Sequence, residues 1–183
     1  MPNSITFIGL GIISIEFASI AVKAGVETHM IHVDDQPLRG FYSAHVEKLM
    51  DKLKEEGVHF HMSENVVAVK ENGTNYDVVT QSGLTIQSDY VLDATGRMPN
   101  VEGIGLEEVG IEYSKFGVKV DEYLRTNVPN IYASGDVIEK MIPKLTPTAT
   151  FESNYIAAHI LKMNEMPIQY PACLLYTSPS PRD

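Results

Sequence analysis

The stretch Gly9-Leu10-Gly11-Ile12-Ile13-Ser14 sets two glycines and one small residue at the spacing of a phosphate-binding turn. In such a turn the first glycine permits the tight bend and the second lets main chain approach a pyrophosphate. The small third residue keeps the following helix close to its strand. Gly9, Gly11 and Ser14 are therefore candidate contacts to a dinucleotide, whose negative charge the helix N-terminus would meet. S-adenosylmethionine, which similar loops hold, and a glycine turn without any ligand are the competing readings. A second polar group, His32-Val33-Asp34-Asp35 with Arg39, falls where the adenosine half of a dinucleotide is decided. There a carboxylate accepts from a ribose 2′-OH and an arginine meets a 2′-phosphate. The signal is mixed, since His32 can donate to either group, Asp34 and Asp35 repel a phosphate, and Arg39 can reach one. His59 and His61 alternate so as to share a strand face, but no further Cys or His at ligand spacing accompanies them, and no metal is expected. Cys173, the sole cysteine, excludes an intramolecular disulfide and any CxxC pair, and reads as an exposed thiol without catalytic work.

These residues need a sheet and helices to hold them. Ile5-Thr6-Phe7-Ile8 reads as a strand stopped by Gly9, and Ile13, Phe17, Ile20, Ala21 and Ala24 recur at helical spacing until Gly25 ends the helix. Thr28 to Val33 is a second strand, which makes a βαβ unit of parallel neighbours. Val46, Leu49, Met50 and Leu53 define a second crossover helix from Ser43 to Glu56, ended by Gly57; Val58, Phe60 and Met62 define a third strand. Asn72-Gly73 and Ser82-Gly83 mark hairpin turns of an antiparallel meander, and Tyr90-Val91-Leu92 is a strand running into Ala94-Thr95-Gly96-Arg97. Further on, Met98 to Glu112 reads as irregular, Val118 to Tyr123 and Asn130 to Ser134 as strands, and Ala149 to Lys162 as a helix. The segment 172–183 has no period and two prolines, and is expected to be unstructured.

With 14 Lys+Arg against 24 Asp+Glu the chain carries a formal charge of −10, which disfavours nucleic acid and anionic membrane as partners. Glu16 interrupts the best apolar run, Ile12 to Ala24, so no bilayer span is expected. Met1-Pro2-Asn3-Ser4 lacks the charge that opens a signal peptide, and a cytoplasmic location is expected.

Gly9 to Ala18, Ala94 to Asn100, Asn130 to Val137 and Leu145-Thr146-Pro147-Thr148-Ala149 occur in the order found in flavoprotein disulfide reductases. From Ile5 to about Pro171 the chain resembles the glutathione reductase and dihydrolipoamide dehydrogenase group. The resemblance implies an α/β fold: a Rossmann-type nucleotide-binding sheet with an inserted β-meander, followed by part of an FAD-binding domain. It implies FAD and NADP or NAD as cofactors and a disulfide substrate, for which glutathione disulfide is the choice on overall likeness. Gly9, Gly11 and Ser14 would lie under the nicotinamide dinucleotide, and Glu16 would match a glutamate that pairs with a lysine near the flavin. Gly96 would admit the cofactor, with Arg97 ending the nucleotide domain; Asp136 would accept from flavin hydroxyls, and Thr146 would lie at the flavin.

The departures from the pattern are specific. Arg39 matches the second of two phosphate-binding arginines of NADPH-dependent members, but Val33 stands in place of the first. His32 stands where NADH-dependent members carry glutamate, and Ile12 replaces a tyrosine that gates the nicotinamide site of many glutathione reductases. A first FAD segment with the redox-active cysteine pair, and a dimer-interface domain with a His-Glu pair, have no counterpart in the sequence. The expected organisation is a nucleotide domain at 1–97, an incomplete second FAD segment at 98–171 and an unstructured tail at 172–183, read as non-native sequence because it resembles none of the family. No catalytic residue is assigned within the chain, turnover is not expected of it alone, and a homodimer is expected only of a full-length enzyme.

Overall fold

The computed structural model describes residues 1–141 and 144–171. The described residues form two compact units, Met1–Gly96 and a second that begins at Arg97. The first contains β1 (Ser4–Ile8), α1 (Ile12–Lys23), β2 (Glu27–Ile31), α2 (Ser43–Glu55) and β3 (Val58–His61). It continues with β4 (Val66–Asn72), β5 (Asn75–Thr80), β6 (Thr85–Ser88) and β7 (Tyr90–Asp93). Four strands pair in the order β3-β2-β1-β7, all parallel.

Successive side chains of a strand point to opposite faces, and here each face has its own cover. Phe7 and Met30 meet Ile15 and Ala18 of α1 and Val46, Met50 and Leu53 of α2. Their neighbours Ile8 and Ile31 meet Val78 and Ile86 from the antiparallel meander β4-β5-β6, which takes the second face of the sheet. Each such side chain, fully buried, contributes roughly 1.5–3 kcal/mol. The polar contact between these layers is a buried hydroxyl pair, Thr6 Oγ1 to Ser88 Oγ at 2.6 Å. Gly73 and Thr74 form the first meander turn, one residue later than the expected Asn72-Gly73, because Asn72 pairs with Asn75.

The packing face of α1 differs from the periodicity reading. Ser14, Ile15 and Ala18 are buried, whereas Ile13, Phe17 and Ile20 are 53%, 52% and 62% exposed. Apolar residues surround nearly the whole helix, so spacing alone could not select the face; close approach to the sheet selects the face that carries the small Ser14 and Ala18, with Ile15 beside them.

The second unit is mostly irregular, with a short hairpin of β8 (Tyr113–Ser114) and β9 (Gly117–Val118), a 3-10 turn at Gly135–Val137 and α3 (Thr146–Ile160). The expected strands Val118 to Tyr123 and Asn130 to Ser134 are reduced to isolated pairings of Val118 with Ile138 and Arg125 with Tyr132. Asp121 Oδ1 accepts from the N–H groups of Tyr123 and Arg125, both at 2.9 Å, and Leu124 has φ 60°, so the chain turns where a strand was expected. The helix α3 begins at Thr146 rather than near Ala149, since Pro147 is well tolerated in a first turn. Val101, Ile111 and Val118 form one small core, and Leu124, Ile138 and Tyr155 another. Among the described residues no helix is long and apolar enough to cross a membrane. The expected disordered tail, with Cys173, lies outside the described residues.

Candidate functional site

Strand order reverses at β1, which has β2 on one side and the much later β7 on the other. Ligands of open α/β sheets bind at the carboxyl ends of strands at such a reversal. The residues leaving those ends are Gly9 after β1, His32 after β2 and Thr95-Gly96 after β7. Gly9 has φ +95°, and a Cβ there would stand 2.8 Å from the Ala94 carbonyl oxygen, so glycine is required by the fit of the two strand ends. Gly9 N–H donates to the Ile31 carbonyl at 2.8 Å, which ties the turn to β2 as well.

Gly11 is the N-cap of α1, with extended backbone and no capping side chain, and a Cβ added to it meets nothing within 4 Å. No side chain caps the first turn of α1, and the space beside the Gly11 Cα is open, with the positive end of the helix dipole at that end of the helix. Ser14 is fully buried with its hydroxyl unpartnered, a small residue at the helix-sheet contact. Ile12 is half exposed beside the turn, and Glu16 is exposed on α1 without an ion pair among the described residues.

A cavity of about 270 Å³ opens at these strand ends, lined by Gly9, His32, Val33, Asn65 and Thr95 among others. His32 Nδ1 accepts the Leu10 N–H at 3.3 Å. Arg39 is paired with Asp34 at 3.0 Å. Asp93, at the end of β7, accepts both the N–H and the hydroxyl of Thr95, and these bonds hold its carboxyl below the usual carboxylate range. That carboxylate shapes the turn into Gly96, whose φ of +144° suits glycine and in front of which a Cβ would find open space.

In the second unit Arg97 lies 3.5 Å from Asp136, both largely exposed, beside a cavity of about 260 Å³ that Asn100 and Lys144 also line. Asp136 follows Gly135, which turns with φ +78°, and Thr146 opens α3.

A buried network that no sequence motif marks supports this turn. Glu152 is fully buried; its Oε2 accepts the Gly135 N–H at 2.6 Å, and its Oε1 accepts from Lys140 Nζ at 2.6 Å and from Tyr170 OH at 2.8 Å. Burial and the bond to Glu152 push the Tyr170 hydroxyl well above its usual pKa. The available signal was spacing: Thr148, Glu152 and Tyr155 share one face of α3, and all three are buried. A second cluster joins His29 to the expected pair: its ring lies 4.9 Å from that of His59, and its Nδ1 is 3.1 Å from His61 Nε2. The sequence hid this because His29 is on β2, opposite His59 in register. Among the described residues no group of three or more His, Cys, Asp or Glu is arranged to hold a metal ion.

A parallel sheet whose first βα turn presents Gly9-Leu10-Gly11 before an uncapped helix, with a meander on the other face, is a Rossmann-type dinucleotide-binding fold. The family model described as pyridine nucleotide-disulphide oxidoreductase matches residues 1–153, and the chain belongs to this family. It is 38% identical over 170 residues to a glutathione reductase of Burkholderia cepacia, covering 92% of the chain and 37% of that protein. It is 32% identical over 186 residues to a dihydrolipoyl dehydrogenase of Bacillus subtilis (strain 168), covering 98% of the chain and 39% of that protein. Among solved structures, LpdA from Mycobacterium tuberculosis superposes with TM-score 0.83 at 27% identity, over 92% of the chain and 36% of that one. The chain thus spans less than two fifths of the length of these relatives.

Proposed function

We propose that the chain binds a nicotinamide dinucleotide, with the pyrophosphate across Gly9 and Gly11, and that alone it is a dinucleotide-binding module without disulfide turnover. The observation carrying this reading is the uncapped start of α1 at Gly11, whose Cα has open space beside it, at the reversal point of the sheet. Unpaired first-turn amides and the helix dipole attract an anion there, and Ser14 lets the helix sit close enough to present them. Membership of a pyridine nucleotide family supports the same ligand over S-adenosylmethionine. The module reading is favoured by the single cysteine, because reducing a disulfide through the protein requires a thiol pair to relay two electrons.

In a longer enzyme the same residues would serve electron transfer from NAD(P)H to a disulfide, with glutathione disulfide favoured by the likeness to the Burkholderia cepacia protein. FAD, when bound, supplies the two-electron relay. The donor set fits such a cofactor: Asp136 offers a carboxylate to its hydroxyls, and Arg97 and Lys144 offset phosphate charge. Thr146 would border the flavin, Gly96 would leave room for the cofactor, Ile12 would flank the nicotinamide, and Glu16 would pair with a lysine supplied elsewhere. We assign residues 1–97 to the nucleotide domain and 98–171 to the flavin segment, and a homodimer to the longer enzyme only. Arg39 gives a weak preference for NADPH, opposed by Asp34 and Asp35.

Calorimetric titration of NADPH into the wild type and Gly11→Val tests the site. The branched side chain enters open space, so the unfolding midpoint should hold while binding is lost; unchanged affinity refutes the assignment.

A further inference from the structure

Spacing along β3 sets His59 and His61 on one face, and the parallel register of β2 adds His29 directly opposite His59. His29 is engaged at both ring nitrogens. Its Nε2 lies 3.3 Å from Glu27 Oε1, and its Nδ1 lies 3.1 Å from His61 Nε2. An ionised carboxylate only accepts, so the neutral His29 ring carries its proton on Nε2 and turns the lone pair of Nδ1 toward His61. The His59 ring stacks on that of His29 at 4.9 Å and limits its rotation.

Two imidazole nitrogens bound to one ion at about 2.0–2.1 Å stand about 2.9 Å apart at a right angle and about 3.4 Å apart at the tetrahedral angle. The observed 3.1 Å falls between the two. A carboxylate behind a histidine is the usual outer partner of a metal ligand, where it sets the tautomer and raises the basicity of the ligating nitrogen. Burial, with His29 and His59 alongside, lowers the pKa of His61 against a smaller opposing effect of Glu64, which keeps that ring neutral and able to ligate near pH 7. The carboxylates of Glu27 and Glu64 and the overall charge of −10 draw a cation to this face. No third His, Cys, Asp or Glu among the described residues is arranged to join the pair, so solvent completes the shell of any ion held there.

We infer that His29 Nδ1 and His61 Nε2 form a two-nitrogen site for a divalent first-row transition ion, copper(II) above all, with Glu27 orienting His29. As the ion enters, the hydrogen between the rings leaves His61 Nε2 and the ring takes its proton on Nδ1, which has no hydrogen-bond partner among the described residues. Imidazole sites of this kind favour copper(II) over nickel(II) and zinc(II). The two ligands belong to β2 and β3, so the ion cross-links the edge of the parallel sheet. The inference stands apart from the dinucleotide reading.

The test titrates copper(II), nickel(II) and zinc(II) chlorides into the full 183-residue chain carrying Cys173→Ser, so that a thiol neither binds nor reduces the probe. One copper(II) per chain is expected, with nitrogen coupling in its electron paramagnetic resonance spectrum, weaker binding of the other two ions and a urea midpoint raised by copper. His29→Gln and His61→Gln should each lower copper affinity by at least about tenfold, and Glu27→Gln by about tenfold. His45→Gln, which removes an exposed histidine of α2 outside the cluster, should leave the affinity unchanged. No copper binding at micromolar concentrations, binding without nitrogen coupling, or an affinity that either histidine variant of the pair leaves unchanged overturns the site. Where one of those variants does not fold, the other decides together with Glu27→Gln, whose side chain is exposed. Loss in both histidine variants with Glu27→Gln unchanged overturns only the orienting role of Glu27.

Discussion

Glu152 is tolerable in the interior only while three donors surround it. Removing it in Glu152→Ala leaves Lys140, 7% exposed, as an unpaired buried cation, and should cost about 3–5 kcal/mol in urea unfolding. Replacing both charges, in Lys140→Met with Glu152→Gln, should recover most of that loss; failure to recover would mean that the ion pair is not what stabilises the turn at Gly135. Gly9 makes the opposite kind of demand, for the absence of atoms. Gly9→Ala sets a methyl 2.8 Å from the Ala94 oxygen at a φ of +95°, and should destabilise the first unit by about 2 kcal/mol or more. Gly11→Ala, in open space at a negative φ, should be nearly neutral in the same measurement. The spacing motif treats the two glycines as one signature, and their separate reasons emerge only when β7 is packed beside β1.

The histidines on β2 and β3 tie the sheet edge to proton activity. Burial and the neighbouring His29 and His59 lower the pKa of His61, against a smaller opposing effect of Glu64. The native state then binds fewer protons than the unfolded chain, so this contribution to stability is complete above the ordinary histidine range and is lost as pH falls through the lowered value. Urea midpoints should decline below about pH 6.5, with a shallower decline in His61→Gln; identical slopes in the two proteins would rule out the cluster as the cause. Most elements of the first unit were legible in the sequence, because strands of four to seven residues alternate with helices closed by Gly25 and Gly57. The packing face of α1 was not, since Ile13, Phe17 and Ile20 obey the same period as a core stripe. The strands expected beyond Val118 failed for a related reason: β-branched runs predict extended chain, and pairing partners decide whether a sheet forms. The glycine turn of the candidate site could be read directly, whereas His29 and Glu152 depend on register and on long-range packing.

For the chain taken whole, the charge of −10 and the single cysteine set what it can be expected to do. The purified 183-residue chain, given FAD, NADPH and glutathione disulfide, should show no sustained NADPH oxidation above background. Turnover retained after Cys173→Ser would mean that electrons reach the disulfide without a protein thiol, contrary to the module reading. The central place of β1 also bears on how the first unit assembles. Its first-made strand waits for its last-made one: Ile5 pairs with Tyr90, and the Asn3 N–H bonds Asp89 across 86 positions. Closing so long a loop is slow, and until it closes β1 has an open edge able to pair with another chain. The fit of Gly9 against Ala94 can form only at that closing step, so a nucleotide arriving earlier finds no finished pocket. Adding NADPH should therefore leave the refolding rate unchanged and prolong the lifetime of the folded state, with the whole of its effect on the unfolding limb.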